Sequence, residues 1–199
     1  MDACGGGAIE FGGRPVVLRH LPNLLSGFRL LVGPLAAWAI LAEHDTAALV
    51  IFASAGFSDL ADGYVARRWG FTSQAGAWLD PLADKLLMLF CFLALLKVGA
   101  APFWLVALVI ARDLVIGAGA VLAKVLSLPL RIEPLTIGKA TTAVLVGYVG
   151  ILLLLLALNQ DAPRLVTAGS YAVAVFAALS AATYLYSFLR ALLSGRRTA

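Results

Sequence analysis

Apolar runs of about twenty residues recur along most of this sequence, and short stretches rich in charged residues, proline or glycine separate them. A run of that length is what an α-helix needs to cross the hydrocarbon core of a bilayer. The composition agrees, because 62% of the residues are hydrophobic and 13% are charged, whereas soluble chains carry about 25% charged residues. The sequence therefore predicts an all-α polytopic integral membrane protein and excludes a soluble globular domain.

The stretches rich in charged residues, proline or glycine divide the apolar sequence into segments that predict six transmembrane helices. These helices form one membrane domain over residues 21–193, between an N-terminal tail at 1–20 and a C-terminal tail at 194–199. The first tail has no apolar segment of the kind found in a signal peptide, so we expect none. The predicted spans are residues 23–43, 46–68, 76–97, 103–126, 138–159 and 165–193.

Lysine and arginine are distributed unequally between the two sides of this predicted bundle. One side holds only Lys97 and Arg164. The more basic side of a membrane protein stays in the cytosol, so we expect both termini and the loop between the second and third spans to be cytosolic, with a bacterial inner membrane as the expected location. The basic side holds Arg14, Arg19, Arg67, Arg68, Lys124, Arg131, Lys139, Arg190, Arg196 and Arg197.

Four carboxylates interrupt the second and third apolar runs. Asp59 and Asp62 are separated by three positions, and Asp80 and Asp84 by four, so each pair lies on one face of a helix. The deepest of them, Asp59 and Asp84, lie at matched depths of about 12 Å from the cytosolic ends of their spans. Two antiparallel neighbouring helices would therefore bring all four carboxylates together.

Four carboxylates that converge within a membrane require compensating cations, because burial and mutual repulsion both disfavour their charge. Two divalent cations would resolve this conflict, and oxygen ligands suit Mg²⁺ or Mn²⁺. Paired metal ions serve displacement reactions at phosphorus. Gly63 and Gly76 would let a ligand approach the backbone, and Arg67 would meet a phosphate. The alternative is that the aspartates only form ion pairs with Arg29, Arg67, Lys85 and Arg112.

The spacing of these residues resembles the signature of the CDP-alcohol phosphotransferase family. The resemblance extends to Pro22-Asn23-Leu24, Arg29 and Gly138-Lys139. It implies a six-helix membrane enzyme, usually a homodimer, that releases CMP from a CDP-linked donor, and it implies no nucleic-acid partner. The matching motif is Asp59-x2-Asp62-Gly63-x2-Ala66-Arg67-x8-Gly76-x3-Asp80-x3-Asp84.

The resemblance also implies a role for each matched residue. Asp84 would act in addition as the catalytic base that receives the proton of the acceptor hydroxyl. The metal ligands would be Asp59, Asp62, Asp80 and Asp84. The nucleotide site would be lined by Gly63, Ala66, Arg67 and Gly76.

The acceptor is the less determined substrate. With CDP-diacylglycerol as the donor, the segment Ala111-Arg112-Asp113 and the following loop most resemble cardiolipin synthases of the CMP-forming type, whose acceptor is phosphatidylglycerol. Phosphatidylglycerophosphate synthase, with glycerol-3-phosphate as acceptor, is the alternative, and a divalent-cation transporter is a remote one. The candidates for binding the acceptor phosphate are Arg112, Arg131 and Lys139. Their alternative roles are, in turn, an ion pair with Asp113 or with an aspartate of the acidic motif, a basic loop residue and an interfacial helix anchor.

Overall fold

The structure is a computed structural model that describes residues 30–69, 74–125 and 136–195. Side chains are described for residues 30–58, 83–123, 125 and 136–190. Every regular element within these ranges is an α-helix, which confirms the predicted all-α class. The helices are α1, described over Leu30–Leu41, then α2 Asp45–Trp69, α3 Gln74–Lys97, α4 Phe103–Val125, α5 Thr136–Ala157 and α6 Pro163–Gly195.

Three stretches of the described helices are long and apolar enough to cross a membrane, where the sequence predicted six. They are Phe103–Ala123 in α4, Thr136–Ala157 in α5 and Pro163–Arg190 in α6. α1 and the first part of α2 contribute shorter apolar stretches, Leu30–Leu41 and Asp45–Ser58. The stretch in α2 ends immediately before Asp59, where the acidic motif begins. The chain is therefore a membrane protein.

α5 holds the bundle together. It packs against α2, α3 and α6, while α4 packs against α3 and α6. The buried residues of α5 recur at helical spacing and form one stripe along its length, which explains how a single helix contacts several neighbours. That stripe consists of Thr141, Leu145, Tyr148, Val149, Leu152 and Leu153.

Small residues permit close helix contacts at two places. A Cβ added to Gly169 in α6 would lie 2.8 Å from the ring of Tyr148 in α5. A Cβ added to Gly33 in α1 would lie 3.2 Å from the Cα of Leu87 in α3. Van der Waals contact between backbones is a main source of helix association in membranes, where apolar side chains gain little from leaving lipid. The two glycines therefore bring α5 to α6 and α1 to α3.

The odd-numbered helices end in the same way, with a residue of positive φ that closes a tight turn. In α1, Glu43 has φ 59°, and the His44 N–H donates to the Ala39 carbonyl at 2.9 Å. This pattern is the Schellman motif. It recurs at Gly99, with φ 79°, and at Asn159, with φ 51°. All three turns lie at one end of the bundle, the end opposite to the acidic motif.

The turn after α3 gives a test of this backbone strain. We expect Gly99→Ala to reduce the free energy of unfolding by about 1 kcal/mol, because a Cβ disfavours the left-handed conformation. The same substitution at Gly117 should raise it by up to about 1 kcal/mol, because Gly117 lies inside α4 and nothing lies within 4 Å of the added Cβ. Unfolding of both variants in detergent micelles measures the difference. If both substitutions changed the free energy of unfolding in the same direction, the left-handed conformation of Gly99 would be contradicted.

Candidate functional site

A cavity of about 240 Å³ lies between α3, α4, α5 and α6. This volume is below the range of about 300–1,000 Å³ that is typical of sites for drug-sized ligands. The cavity can therefore enclose a small polar group, such as a phosphate with a few attached carbons, but not a whole lipid. Its lining residues are Lys85, Arg112, Ile116, Gly138, Lys139, Thr142 and Tyr184. Three of these seven residues are cationic.

Arg112 is the most buried of the three cations, with a side chain that is 9% exposed. Its Nη1 donates to Asp113 Oδ1 at 2.7 Å, and its Nη2 donates to Ser180 Oγ at 2.8 Å. The guanidinium is thus fixed by its chain neighbour in α4 and by a buried serine of α6. Its Nε–H is also buried and has no hydrogen-bond acceptor within the described part of the chain. Buried donors of this kind normally have an acceptor, and the described residues do not supply it.

Asp113 connects two of the cavity's cations. The same Oδ1 that accepts from Arg112 lies 3.7 Å from Lys85 Nζ in α3. The Lys85 side chain is 47% exposed and that of Asp113 is 31% exposed, so solvent screens their attraction. The arrangement nevertheless ties α3 to α4 beside the cavity and supplies one negative charge among three positive ones.

The first turn of α5 forms another wall of the cavity. Lys139 lies here, where the helix dipole also favours anions. A Cβ added to Gly138 would lie 3.1 Å from Tyr184 Oη, so the glycine lets this hydroxyl of α6 approach the α5 backbone. Thr142 Oγ1 donates to the Gly138 carbonyl at 3.1 Å, which leaves its oxygen free to accept from a ligand hydroxyl. Cations, an N-terminal helix turn and hydroxyls together suit a phosphate group that carries an alcohol.

Two of the predicted acceptor residues, Arg112 of α4 and Lys139 of α5, therefore line one cavity. The alternative role of Arg112, an ion pair with Asp113, is also present. Arg112 can both line the cavity and pair with Asp113, because the ion pair forms at the cavity wall. The third predicted residue, Arg131, lies outside the described residues.

The acidic motif is described mainly by its backbone. α2 is helical through Asp59 and Asp62 to Trp69, and α3 is helical from Gln74 through Asp80 and Asp84. Each predicted pair of carboxylates therefore shares a helix face. Within the described side chains no three histidine, cysteine or acidic residues form a group that could hold a metal. The predicted residues whose side chains lie outside the described ones are Asp59, Asp62, Gly63, Ala66, Arg67, Gly76 and Asp80.

Asp84 is the one predicted metal ligand whose side chain is described. It is half-buried on α3 and directly precedes Lys85, so the acidic motif and the cationic cavity meet on the same turn of α3. The predicted metal site and the cationic cavity, which suits a phosphate, would thus adjoin each other.

Several residues of the cavity had no ligand-binding role predicted from the sequence. Lys85 was considered only as an ion-pair partner of the aspartates, and Ser180 was not singled out. One signal was available for α6: hydroxyl side chains recur at Ser180, Thr183, Tyr184 and Ser187, a polar series in an otherwise apolar helix. The other unassigned residues are Ile116, Thr142 and Tyr184.

Comparisons with known proteins agree with this geometry. A family model described as CDP-alcohol phosphatidyltransferase matches residues 19–185. A cardiolipin synthase (CMP-forming) of Rattus norvegicus is 35% identical over 140 residues, covering 62% of this chain and 46% of the relative. A CDP-diacylglycerol–glycerol-3-phosphate 3-phosphatidyltransferase 1, chloroplastic, of Oryza sativa subsp. japonica is 41% identical over 117 residues, covering 59% and 35%.

A third relative is a fusion protein of Schizosaccharomyces pombe, named cardiolipin synthase (CMP-forming) / mitochondrial hydrolase. It is 42% identical over 109 residues, which cover 55% of this chain and 18% of the relative. The chain therefore spans less than half the length of each of these three relatives.

The hydrogen bond between α4 and α6 gives a test of the site's geometry. We expect Ser180→Ala to reduce the free energy of unfolding by about 2 kcal/mol, because it leaves a second nitrogen of the buried guanidinium without an acceptor. Ser187→Ala is the matched control, because that hydroxyl donates only to the Thr183 carbonyl of its own helix. Its effect should stay within about 0.5 kcal/mol. Denaturant unfolding in micelles compares the two, and equal effects would contradict the arrangement around Arg112.

Proposed function

Because the chain belongs to the CDP-alcohol phosphatidyltransferase family, we propose that it transfers a phosphatidyl group from CDP-diacylglycerol to phosphatidylglycerol. The products are cardiolipin and CMP. The observation that carries this proposal is the family match over residues 19–185, which includes the whole acidic motif and every residue that lines the cationic cavity.

The acidic motif is the proposed metal site. Enzymes of this family generally use divalent metal ions, and four carboxylates on two consecutive helices offer the oxygen ligands that Mg²⁺ and Mn²⁺ prefer. The donor set therefore fits two divalent cations held by Asp59, Asp62, Asp80 and Asp84. When bound, such ions neutralise the oxygens of a pyrophosphate and favour displacement at phosphorus.

In the proposed reaction, the chain's own residues perform three further tasks. Gly63, Ala66, Arg67 and Gly76 bind the cytidine nucleotide. The acceptor hydroxyl attacks the phosphorus of the phosphatidyl group, the bond from this phosphorus to the CMP oxygen breaks, and the hydroxyl proton passes to the Asp84 carboxylate. Arg112 and Lys139 hold the phosphate of the acceptor, and Arg131 assists from the loop before α5.

The position of the cationic cavity supports an acceptor that carries a phosphate and a glycerol hydroxyl, as both candidate acceptors do. The cavity begins at Lys85, next to Asp84, so an acceptor phosphate bound there keeps its glycerol hydroxyl near the proposed base. Relatives named as cardiolipin synthases (CMP-forming) support phosphatidylglycerol as the acceptor. Glycerol-3-phosphate is the second candidate, favoured by the rice relative's name. Family membership leaves little support for a cation transporter.

The proposed architecture has six membrane-spanning helices, with α1, α2 and α3 completing the three spans already evident. The excess of lysine and arginine on one side supports cytosolic termini and a cytosolic active site in a bacterial inner membrane. We further propose that the enzyme works as a homodimer, on substrates that both reside in the lipid phase.

The metal site is tested by Asp80→Asn. We expect transfer to fall by about a thousandfold or more, because the amide removes one negative charge from the metal ligands. Mn²⁺ binding to the purified protein, followed by electron paramagnetic resonance, should weaken in parallel while the helix content is unchanged. Asp161→Asn is the control, since Asp161 lies exposed in the turn before α6. Full activity of the Asp80 variant would rule out the carboxylate site.

The acceptor is tested by a substrate panel. Purified protein in mixed micelles with CDP-diacylglycerol and Mg²⁺ or Mn²⁺ should convert phosphatidylglycerol to cardiolipin and release an equal amount of CMP. Product analysis by mass spectrometry identifies the acceptor that is used. Formation of phosphatidylglycerophosphate from glycerol-3-phosphate, with no cardiolipin, would replace the first candidate by the second and leave the family reaction in place.

A further inference from the structure

Tyr184 of α6 lines the cationic cavity, and its hydroxyl group lies against the first turn of α5. A Cβ built on Gly138 would lie 3.1 Å from Tyr184 Oη, 3.7 Å from Cε2 and 3.9 Å from Cζ, so the hydroxyl is the part of this side chain closest to α5. Within the described part of the chain, the hydroxyl forms no hydrogen bond. Its proton is therefore available to a ligand in the cavity.

Two contacts establish which face of α6 is turned toward the cavity. Ser180 Oγ accepts a hydrogen bond from Arg112 Nη2 at 2.8 Å, and Tyr184 follows four residues later on the same face of the helix. Tyr186 lies on the other side of α6, where it is 65% exposed. The helix thus carries two tyrosines that are close in sequence but lie in different surroundings.

Some of the donors that line the cavity are already used within the protein. Arg112 donates from both terminal nitrogens to side chains of the protein, and the Thr142 hydroxyl donates to a backbone carbonyl of α5. The Lys139 ammonium group and the Tyr184 hydroxyl make no such bond with the rest of the chain as described. Lys139 and Tyr184 therefore offer donors for which no described protein group competes.

We propose that the Tyr184 hydroxyl donates a hydrogen bond to the phosphate of the acceptor, and that Gly138 lacks a side chain so that this hydroxyl can reach its position. The inference rests on the proposed function, because the acceptor phosphate is the ligand assigned to the cavity. It adds an uncharged donor from α6 to the cations of α4 and α5. It applies to phosphomonoesters and phosphodiesters alike, because both present phosphate oxygens that accept hydrogen bonds.

The role of this hydrogen bond is in binding the acceptor. The phosphate in the cavity belongs to the acceptor, whereas the reaction occurs at the phosphorus of the donor. The charge of the acceptor phosphate therefore does not change as the new bond forms, and a hydrogen bond to it stabilises the bound acceptor and the transition state equally. Loss of such a bond raises the KM for the acceptor and leaves kcat unchanged.

Tyr184→Phe tests the proposal, because it removes the hydroxyl and keeps the ring. We expect the KM for the acceptor to rise about tenfold, since the lost hydrogen bond joins a charged group. The values of kcat and of the KM for CDP-diacylglycerol should change less than about twofold. Tyr186→Phe is the matched control, because it removes the same atom from the exposed side of α6, and it should leave all three constants at their wild-type values.

Two results of this comparison would overturn the proposal. One is an equal effect of both substitutions, as expected if each tyrosine only anchors α6 at the membrane interface. The other is a fall in kcat of the Tyr184→Phe protein with an unchanged KM for the acceptor, because the hydroxyl would then act in the chemical step.

Gly138→Ala tests the position of the hydroxyl. The added methyl group would lie 3.1 Å from Tyr184 Oη, inside the usual separation of about 3.5–4.0 Å, so the hydroxyl must move. We expect a several-fold rise in the KM for the acceptor in the wild-type chain. In the Tyr184→Phe background the further rise should be small, because the atom that the methyl group displaces is absent. Equal rises in both backgrounds would overturn the role of Gly138.

A binding measurement separates this proposal from the proposed reaction. Isothermal titration without CDP-diacylglycerol uses two probes, glycerol-3-phosphate and glycerophosphoglycerol, the water-soluble headgroup of phosphatidylglycerol. Tyr184→Phe should weaken the binding of both about tenfold, and Tyr186→Phe should weaken neither. Unchanged affinities would overturn the proposal, as would the failure of the wild type to bind either probe. Absence of transfer to every acceptor, with binding that depends on the Tyr184 hydroxyl, would overturn the reaction alone.

Discussion

The arrangement of this protein depends on the compensation of charge inside an apolar helix bundle. Arg112 shows the requirement at its clearest, because its nearly buried guanidinium is held by Asp113 within α4 and by Ser180 from α6. An uncompensated charge at this position would cost several kcal/mol in a membrane. Lys85 shares the same carboxylate from α3. The charged groups that line the cavity therefore also connect the helices, so the cavity and the packing of α3, α4 and α6 depend on the same contacts.

α5 relates this polar site to the apolar core. Its buried stripe packs the middle of the bundle, and its first turn presents Gly138 and Lys139 to the cavity. Tight turns after α1, α3 and α5 close the other end of the molecule, each with a residue of positive φ. One end is thus fixed by short connections and close packing, whereas the cavity and the acidic motif lie toward the other. α5 thus brings Lys139 to the same cavity that Arg112 lines from α4.

Hydropathy and spacing predicted the helices and their approximate bounds, because both depend on local sequence. The same reasoning placed each pair of aspartates on one face and selected Arg112 and Lys139. It could not find the contact of Arg112 with Ser180, which are 68 positions apart, because a serine in an apolar helix has no local feature that identifies its partner. The position of Tyr184 at the cavity could not be predicted either, because it depends on how closely α6 approaches Gly138. Pairing between helices is a property of the packed bundle.

The small size of the cavity limits which part of a lipid it can hold. At about 240 Å³ it can enclose the phosphate of one headgroup, while attached acyl chains would remain in the bilayer. Headgroups of similar size differ mainly in charge. Relatives named for two different acceptors are 35% and 41% identical to this chain, so overall similarity does not separate the two activities.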